Sequence, residues 1–139
     1  MATERRSIGK MTDRPNRLVI VRHGESTRNL AKNGSTYFAD EEARVSVQGI
    51  PDHLIKLTDA GIAHAKITGA QIRKRFRKFD YAYTSGYLRT DQTLEAILEA
   101  YPEKERRKIK VRKNPFIRER DPGYTYDMTT AEAEKLSLI

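Results

Sequence analysis

The stretch Leu18-Val19-Ile20-Val21-Arg22-His23-Gly24-Glu25-Ser26 decides the interpretation of this chain. Its apolar half has no polar alternation, which predicts a strand over residues 17–21 that is covered on both faces. Gly24 permits a turn, and residues 25–32 are predicted to continue as a short helix. The arginine and the histidine between strand and helix would then stand at the carboxyl end of a strand, where open α/β sheets bind ligands.

Arg22 and His23 are a chemically informative pair. Imidazole is a nucleophile, and guanidinium binds phosphate oxygens through paired hydrogen bonds. At a ligand-binding edge of a sheet, the two side chains together predict phosphoryl transfer through a phosphohistidine.

The composition predicts a single globular domain. The chain has 139 residues, 37% of them hydrophobic and 33% charged, which is enough for one core. Residues 1–16 are expected to form a flexible tail ahead of a domain over residues 17–139. The absence of cysteine excludes disulfides and cysteine nucleophiles. Because no apolar stretch approaches the roughly 20 residues of a membrane span and no secretory signal is recognised, the sequence predicts a cytoplasmic protein without a membrane partner.

The net charge of +8 has two interpretations. Much of it lies in residues 73–78 and 104–110, and a basic surface attracts anionic partners. Cations also complement the carboxyl ends of helices, where they are solvated. Aromatic residues are not interleaved with the basic ones as stacking platforms for bases would require, so helix ends are favoured over a nucleic-acid site.

Strands and helices alternate along the rest of the chain. Residues 35–56 have no period and are predicted to form a long loop over the site. Thr58 is the predicted N-cap of a helix whose apolar residues recur at steps of three and four. The other predicted elements are the end of the first helix at Asn33-Gly34, strands over residues 80–84 and 109–111, helices over residues 87–101 and 129–138, and a loop over residues 115–126. This alternation favours an α/β fold with a largely parallel sheet.

The second junction of strand and helix repeats the design of the first. Tyr83-Thr84-Ser85-Gly86 leads into a helix whose first turn carries Arg89, and free N–H groups at a helix start favour an anion. Arg22 and Arg89 would together bind one phosphoryl group. The alternative is a surface role for Arg89 beside acidic residues of its own helix.

Four ordered blocks resemble the histidine phosphatase superfamily, which includes the cofactor-dependent phosphoglycerate mutases and the fructose-bisphosphatase domains. The blocks are Arg22-His23-Gly24-Glu25-Ser26 with Asn29, Leu57-Thr58-Asp59-Ala60-Gly61, Ser85 with Arg89, Gln92 and Thr93, and Glu119 with Gly123. The resemblance covers about residues 17–123, and each block stands in the strand, turn or helix context that it needs. It implies a three-layer α/β/α fold with a largely parallel central sheet, similar to phosphoglycerate mutase.

The resemblance implies a role for each matching residue at the phosphoryl group. His23 would be the nucleophile that carries it, and Arg22 and Arg89 would neutralise its oxygens in the transition state. Asn29 would donate a hydrogen bond to the same group. Arg28 is a further candidate for the substrate pocket.

The resemblance also implies a proton donor from a later loop. Glu119 would protonate the leaving oxygen and then deprotonate water or an acceptor hydroxyl. Asp121 is the fallback for this role, and a surface ion pair of Glu119 with a neighbouring arginine is the alternative. Ser85 would have a secondary role at the site, and Gly24 would leave room for the phosphate.

His53 and His64 are weighed separately. His64 lies off the apolar stripe of its helix and is predicted to be solvated. His53, in Pro51-Asp52-His53, either lines the substrate pocket or is an ordinary loop residue. No pair of histidines has the spacing of a helical zinc site, so neither a metal nor another cofactor is predicted.

The sequence departs from the superfamily pattern after Glu119. The resemblance implies a second catalytic histidine in a late His-Gly turn behind another apolar strand, and residues 120–139 contain neither. The domain is therefore expected to be incomplete at its C-terminus, with a late strand missing beside residues 17–21 and backbone groups left unpaired.

These observations together predict a phosphomonoester hydrolase that acts on a phosphorylated small molecule or a phosphoprotein. One alternative is a phosphoglycerate mutase-type phosphotransferase, which differs in the acceptor that the site holds. The other is a phosphate-binding scaffold without catalysis. A nucleic-acid partner is not predicted.

Overall fold

The computed structural model describes residues 15–121 and 123–139. In these ranges the chain forms six α-helices, two β-strands and three short 3-10 turns. The helices are α1 (Thr27–Lys32), α2 (Glu41–Val45), α3 (Asp59–Arg75), α4 (Leu88–Leu98), α5 (Glu103–Arg106) and α6 (Thr130–Lys135), and the strands are β1 (Tyr81–Thr84) and β2 (Lys110–Lys113). The 3-10 turns are Asp52–Leu54, Pro115–Ile117 and Tyr124–Asp127. Most of the predicted flexible tail, residues 1–14, lies outside the described residues.

The sheet is parallel, and its two strands are joined through α4 and α5. Tyr81 pairs with Lys110 at one end of the register and Thr84 with Lys113 at the other. Parallel neighbours need such a crossover, so the predicted α/β class is confirmed. The two tyrosines of β1 stack with ring centroids 6.1 Å apart on a half-exposed face.

Helices α3 and α4 pack closely because a glycine lies between them. A Cβ on Gly69 of α3 would lie 2.6 Å from the carbonyl oxygen of Ile97 in α4. Only a residue without a side chain allows the two backbones to approach this far. The predicted apolar stripe of α3 faces this contact, with Ala65 and Gly69 buried. Its predicted N-cap is also confirmed, since Thr58 accepts a hydrogen bond from the Gly61 N–H at 3.0 Å.

The predicted strand over residues 17–21 is wrong for this structure. The segment forms no strand, and the described residues place no backbone hydrogen bond on it. Instead of being covered on both faces, Leu18 is 73% exposed and Ile20 is 85% exposed. Apolar β-branched residues favour a strand only where a neighbour pairs with their backbone and covers their side chains. The sheet of the described residues places no such neighbour there.

Residues 35–56, predicted as a loop, include α2 and one 3-10 turn and contain a small core. Phe38, Val47 and Ile55 are almost fully buried against one another. Phe38 also joins this segment to the end of the chain, because its N–H donates to Met128 and its carbonyl accepts from the Thr130 N–H, at 3.0 and 2.8 Å. The segment is therefore a packed part of the structure that lies against α1.

The first helix ends where predicted, and it begins at Thr27, two residues later than predicted. Ser26 caps α1 in a reciprocal box with Asn29, and Asn33 ends it in the left-handed conformation at φ 49°. Strands β1 and β2 and helices α4 and α6 occur where predicted, with ends shifted by a few residues. Helix α5 was not predicted, and the predicted loop over residues 115–126 contains 3-10 turns. Among the described residues, none of the helices has the length and apolar character to cross a bilayer.

Candidate active site

A threonine hydroxyl connects the two predicted phosphate-binding turns. The Gly24 N–H donates to Thr93 Oγ1 at 3.0 Å, and the same hydroxyl donates to the carbonyl oxygen of Arg89 at 2.7 Å. Thr93 is buried in α4. One side chain therefore sets the distance between the turn that carries His23 and the helix turn that carries Arg89.

The backbone of Gly24-Glu25 lies directly against the start of α3. A Cβ on Gly24 would be 2.6 Å from the Gly61 carbonyl oxygen, and one on Gly61 would be 2.2 Å from the Glu25 carbonyl oxygen. The Thr58 N–H and hydroxyl donate to the carbonyl and carboxylate of Glu25, at 2.9 and 2.7 Å. Gly24 is thus required for backbone packing, while its predicted role of leaving room for phosphate stays a prediction.

His23 is held in the tautomer that a nucleophile needs. Its Nδ1 lies 2.7 Å from the Gly24 carbonyl oxygen. Because a carbonyl only accepts hydrogen bonds, Nδ1 carries the proton and Nε2 keeps its lone pair. Burial lowers the pKa of His23, and the charges of Arg89 and Arg22 lower it further, against the Gly24 hydrogen bond and Glu119, which raise it. The imidazole is therefore biased toward its neutral, nucleophilic form.

Four predicted catalytic residues lie in one region of the structure. Arg22, Arg89 and Glu119 are all close enough to His23 to change its pKa. Arg89 is 5% exposed, whereas the side chain of Glu119 is 71% exposed and lies 3.9 Å from it, measured from Oε2 to Nη2. A buried cation, a half-buried imidazole and an exposed carboxyl group thus lie at one site.

Asp52 binds Arg89, and sequence reasoning missed it. Arg89 Nη1 donates to the Asp52 backbone carbonyl at 2.8 Å and to Oδ1 at 3.2 Å, and Nη2 donates to Oδ2 at 3.3 Å. The neighbouring His53, weighed above as a pocket residue, is exposed on the same 3-10 turn. His64 is exposed on α3, as predicted.

Arg28 shares Asp52 with Arg89. Its Nη1 donates to Asp52 Oδ1, and its Nη2 donates to Asp127 Oδ2 at 3.4 Å. Arg28 is 3% exposed and its guanidinium lies over the Tyr126 ring, 5.1 Å from the centroid. Among the described residues, Arg28 thus forms ion pairs with two carboxylates of this chain. Its expected contact with substrate stays a prediction.

A cleft of about 590 Å³ opens beside His23. It is lined by Arg22, His23, Gly24, Glu25, Asn29, Lys32, Gly34, Ser35, Thr36 and Tyr126. Asn29 Oδ1 accepts from the N–H and hydroxyl of Ser26, at 3.0 and 2.8 Å, which leaves its amide hydrogens as the donors for a ligand. Ser85, which was predicted to have a secondary role at the site, is buried, and its hydroxyl lies 2.8 Å from that of Thr90 at the start of α4.

Lys32 is a second residue that sequence reasoning missed. It is 6% exposed, its Nζ donates to the Tyr126 carbonyl, and it lies 3.5 Å from the centroid of the Tyr126 ring. Burial lowers its pKa, as does the charge of Arg28, while Asp127 raises it. The sequence feature that could have indicated Lys32 is its position four residues after Arg28, because this spacing places both cations on one face of α1.

A metal centre is not built by the residues that the structure describes, which contain no suitably placed group of three histidine or carboxylate side chains. The fallback acid Asp121 is exposed and accepts the Gly123 N–H at 2.8 Å.

Comparisons with known proteins extend over most of the chain. The family model described as the histidine phosphatase superfamily (branch 1) matches residues 18–137. A 2,3-bisphosphoglycerate-dependent phosphoglycerate mutase of Nitrobacter hamburgensis is 36% identical over 118 residues, which are 85% of this chain and 48% of the mutase. The phosphoglycerate mutase-like protein AT74 of Arabidopsis thaliana is 36% identical over 116 residues, covering 78% of this chain and 32% of that protein.

One solved structure is also similar. The putative phosphohistidine phosphatase SixA from Agrobacterium tumefaciens superposes with a TM-score of 0.48 and 20% identity, over 84% of this chain and 55% of that one. The chain spans about half the length of the bacterial mutases that it matches.

Proposed function

Since the chain belongs to the histidine phosphatase superfamily, we propose that it is a phosphomonoester hydrolase that works through a phosphohistidine on His23. The observation that carries the proposal is the hydrogen bond from His23 Nδ1 to the Gly24 carbonyl, which leaves the Nε2 lone pair available. The pKa of the imidazole is lowered by burial and by Arg89 and Arg22, so the nucleophile is unprotonated near neutral pH.

In the first step, Nε2 of His23 attacks phosphorus as the bond to the ester oxygen breaks. Glu119 gives its proton to that oxygen, and the alcohol leaves. The charge that spreads over the three remaining phosphoryl oxygens is neutralised by Arg22 and Arg89. The amide hydrogens of Asn29, which its capping bonds leave free, donate to the same group.

In the second step, the Glu119 carboxylate removes a proton from water as the oxygen of that water attacks phosphorus. The bond from phosphorus to Nε2 breaks, inorganic phosphate leaves, and Glu119 is protonated again. The exposure of Glu119 supports water as the acceptor, since this carboxyl group is in contact with solvent.

A phosphotransferase is the second candidate, and the 36% identity to phosphoglycerate mutases favours it. It would use the same first step and replace water with a hydroxyl of a bound acceptor. A phosphate-binding scaffold is the third, because Arg22, Arg89 and the amide hydrogens of Asn29 would bind an anion without turnover as well. The substrate would be a phosphorylated small molecule or a phosphoprotein, and the cytoplasm remains the expected location.

The proposal is tested by trapping the intermediate on the full chain. A phosphate ester labelled with ³²P is mixed with the protein, the reaction is quenched in base, and the label on protein is counted. We expect label on the unmodified chain and on His64→Ala, whose histidine is exposed on α3, and none on His23→Ala. Equal labelling of the two variants contradicts the proposal. Transfer of label to an added alcohol favours the phosphotransferase, and phosphate binding without label favours the scaffold.

A further inference from the structure

We propose that Asp52 is a positioning residue that orients Arg89 for binding of the phosphoryl group. This inference rests on the function proposed above. It starts from one juxtaposition, in which a single carboxylate from the 3-10 turn Asp52–Leu54 binds two buried arginines on two different helices. Asp52 lies outside the four sequence blocks that carry the family resemblance.

The contacts of Asp52 fall on one end of the Arg89 guanidinium. A guanidinium has five N–H donors in a planar fork. Nη1 donates to the Asp52 backbone carbonyl and to Oδ1, and Nη2 donates to Oδ2. The hydrogen bonds among the described residues leave Arg89 Nε unused. Its edge, formed by Nε and the second hydrogen of Nη2, is the paired arrangement that matches two phosphoryl oxygens.

Glu119 lies near Nη2 of Arg89. Its Oε2 lies 3.9 Å from Nη2 of Arg89, and both residues act on the pKa of His23. Asp52 therefore fixes the end of the guanidinium that carries Nη1 and Nη2, and the predicted acid lies near Nη2. Because the guanidinium is rigid and planar, fixing one end fixes the direction of the other donors.

Arg28 keeps Asp52 in place. Arg28 is 3% exposed, and it binds Asp52 through Nη1 and Asp127 on its other side. The side chain of Asp52 is 39% exposed, so its position depends on its partners more than on burial. Without the carboxylate, Arg28 keeps Asp127 and Arg89 keeps only the Asp52 backbone carbonyl as a close hydrogen-bond partner, so repulsion between the two buried guanidinium groups would turn Arg89 away.

A purely electrostatic role for Asp52 predicts the opposite result. A negative charge beside the site weakens anion binding, so its removal would strengthen binding. A positioning role predicts weaker binding after removal, because Arg89 loses its direction. The sign of the change therefore separates the two roles.

The test measures binding of orthovanadate, which adopts the five-coordinate geometry of phosphoryl transfer, to the full chain by calorimetry. For Asp52→Asn we expect an affinity about tenfold lower, the size seen when other residues that orient a binding group are changed. For Asp52→Glu, which keeps the charge and moves the carboxylate by one methylene, we expect an intermediate loss. Asp80→Asn, at an exposed carboxylate away from the site, should bind as the unmodified chain does.

A double-mutant cycle shows whether Asp52 acts through Arg89. In an Arg89→Ala background, Asp52→Asn should cause no further loss of vanadate affinity. Tighter or unchanged binding by Asp52→Asn, or an additive loss in that background, overturns the inference. Where circular dichroism shows that Asp52→Asn is unfolded, Asp52→Glu decides, since unchanged affinity there also overturns it.

Failure of this inference is distinct from failure of the proposed function. Label on His23 together with full vanadate affinity in Asp52→Asn removes the role of Asp52 and leaves the hydrolase. An unmodified chain that neither takes label nor binds vanadate overturns both.

Discussion

Gly24 donates its backbone N–H to the hydroxyl of Thr93, 69 positions later in the chain, at a distance of 3.0 Å. This hydrogen bond joins the turn of the predicted nucleophile to the helix of the predicted phosphate clamp. It makes the spacing between His23 and Arg89 depend on one buried hydroxyl, which leads to the first prediction.

Replacing Thr93 with valine keeps the shape of the side chain and removes its hydroxyl. We expect a loss of about 1–3 kcal/mol in the free energy of unfolding, because the Gly24 N–H is left without its partner in a half-buried position. Labelling of His23 should slow as well. Thr93→Ser, which keeps the hydroxyl, should retain most of both properties, as measured by urea unfolding and ³²P trapping. Equal behaviour of the two variants would show that the hydroxyl is dispensable.

Gly61→Ala tests the contact between α3 and the nucleophile turn. In an exposed helix this change stabilises by up to about 1 kcal/mol. Here the new methyl group would lie 2.2 Å from the Glu25 carbonyl oxygen, so we expect a destabilisation of about 1–3 kcal/mol instead. Thermal unfolding measures the sign. Ala60→Gly at the exposed neighbouring position serves as the comparison and should cost only its helix propensity; a stabilised Gly61→Ala would rule out the close contact.

The pKa of His23 is predicted to lie below 6.5, its ordinary value. Burial is the largest cause, and the charges of Arg89 and Arg22 add to it. Titration of the imidazole Cε1–H signal by NMR, assigned with His23→Ala, should give a midpoint below 6.5. Arg89→Ala should move the midpoint upward because a repelling charge is removed, whereas Arg89→Lys should not.

The same shift fixes the pH dependence of stability. Between the folded pKa and 6.5, the unfolded chain binds more protons at His23 than the folded chain does. Because of this difference, the free energy of unfolding is highest above pH 6.5 and decreases as pH falls through that window. A midpoint at or above 6.5 would contradict both statements.

Lys32 gives a prediction at the other end of the pH scale. Its pKa is lowered by burial, so near and below its ordinary value of 10.5 the folded chain holds fewer protons than the unfolded chain. The stability of the unmodified chain should rise with pH through that window, relative to Lys32→Met, which has no charge there. Urea unfolding at two pH values measures the difference. Parallel pH profiles of the two proteins would show that the ammonium group is not buried in solution.

Short motifs and the family resemblance were enough to predict four residues that lie close together in the structure. His23, Arg22, Arg89 and Glu119 each stand in a short motif, and the structure brings them within electrostatic range of one imidazole. Their roles in catalysis remain predictions. The class of the fold followed from the alternation of β1, α4 and β2, which depends on neighbours in the chain.

Contacts between distant segments were not predictable in the same way. Asp52 reaches Arg89 from 37 positions away, out of a segment without helical or strand periodicity. Lys32 is buried by Tyr126 and Phe38, which no local pattern connects to it. The strand prediction over residues 17–21 failed for the same reason, because hydrophobicity alone does not supply a pairing partner.

That segment has a consequence for how the chain behaves in solution. Leu18 and Ile20 keep most of their apolar surface in contact with water, at 73% and 85% exposure. Each square ångström so exposed carries a free-energy cost of about 25 cal/mol that contact with another apolar surface removes. Concentrated samples should therefore scatter more light and sediment faster than dilute ones, and Ile20→Asp should remove this concentration dependence.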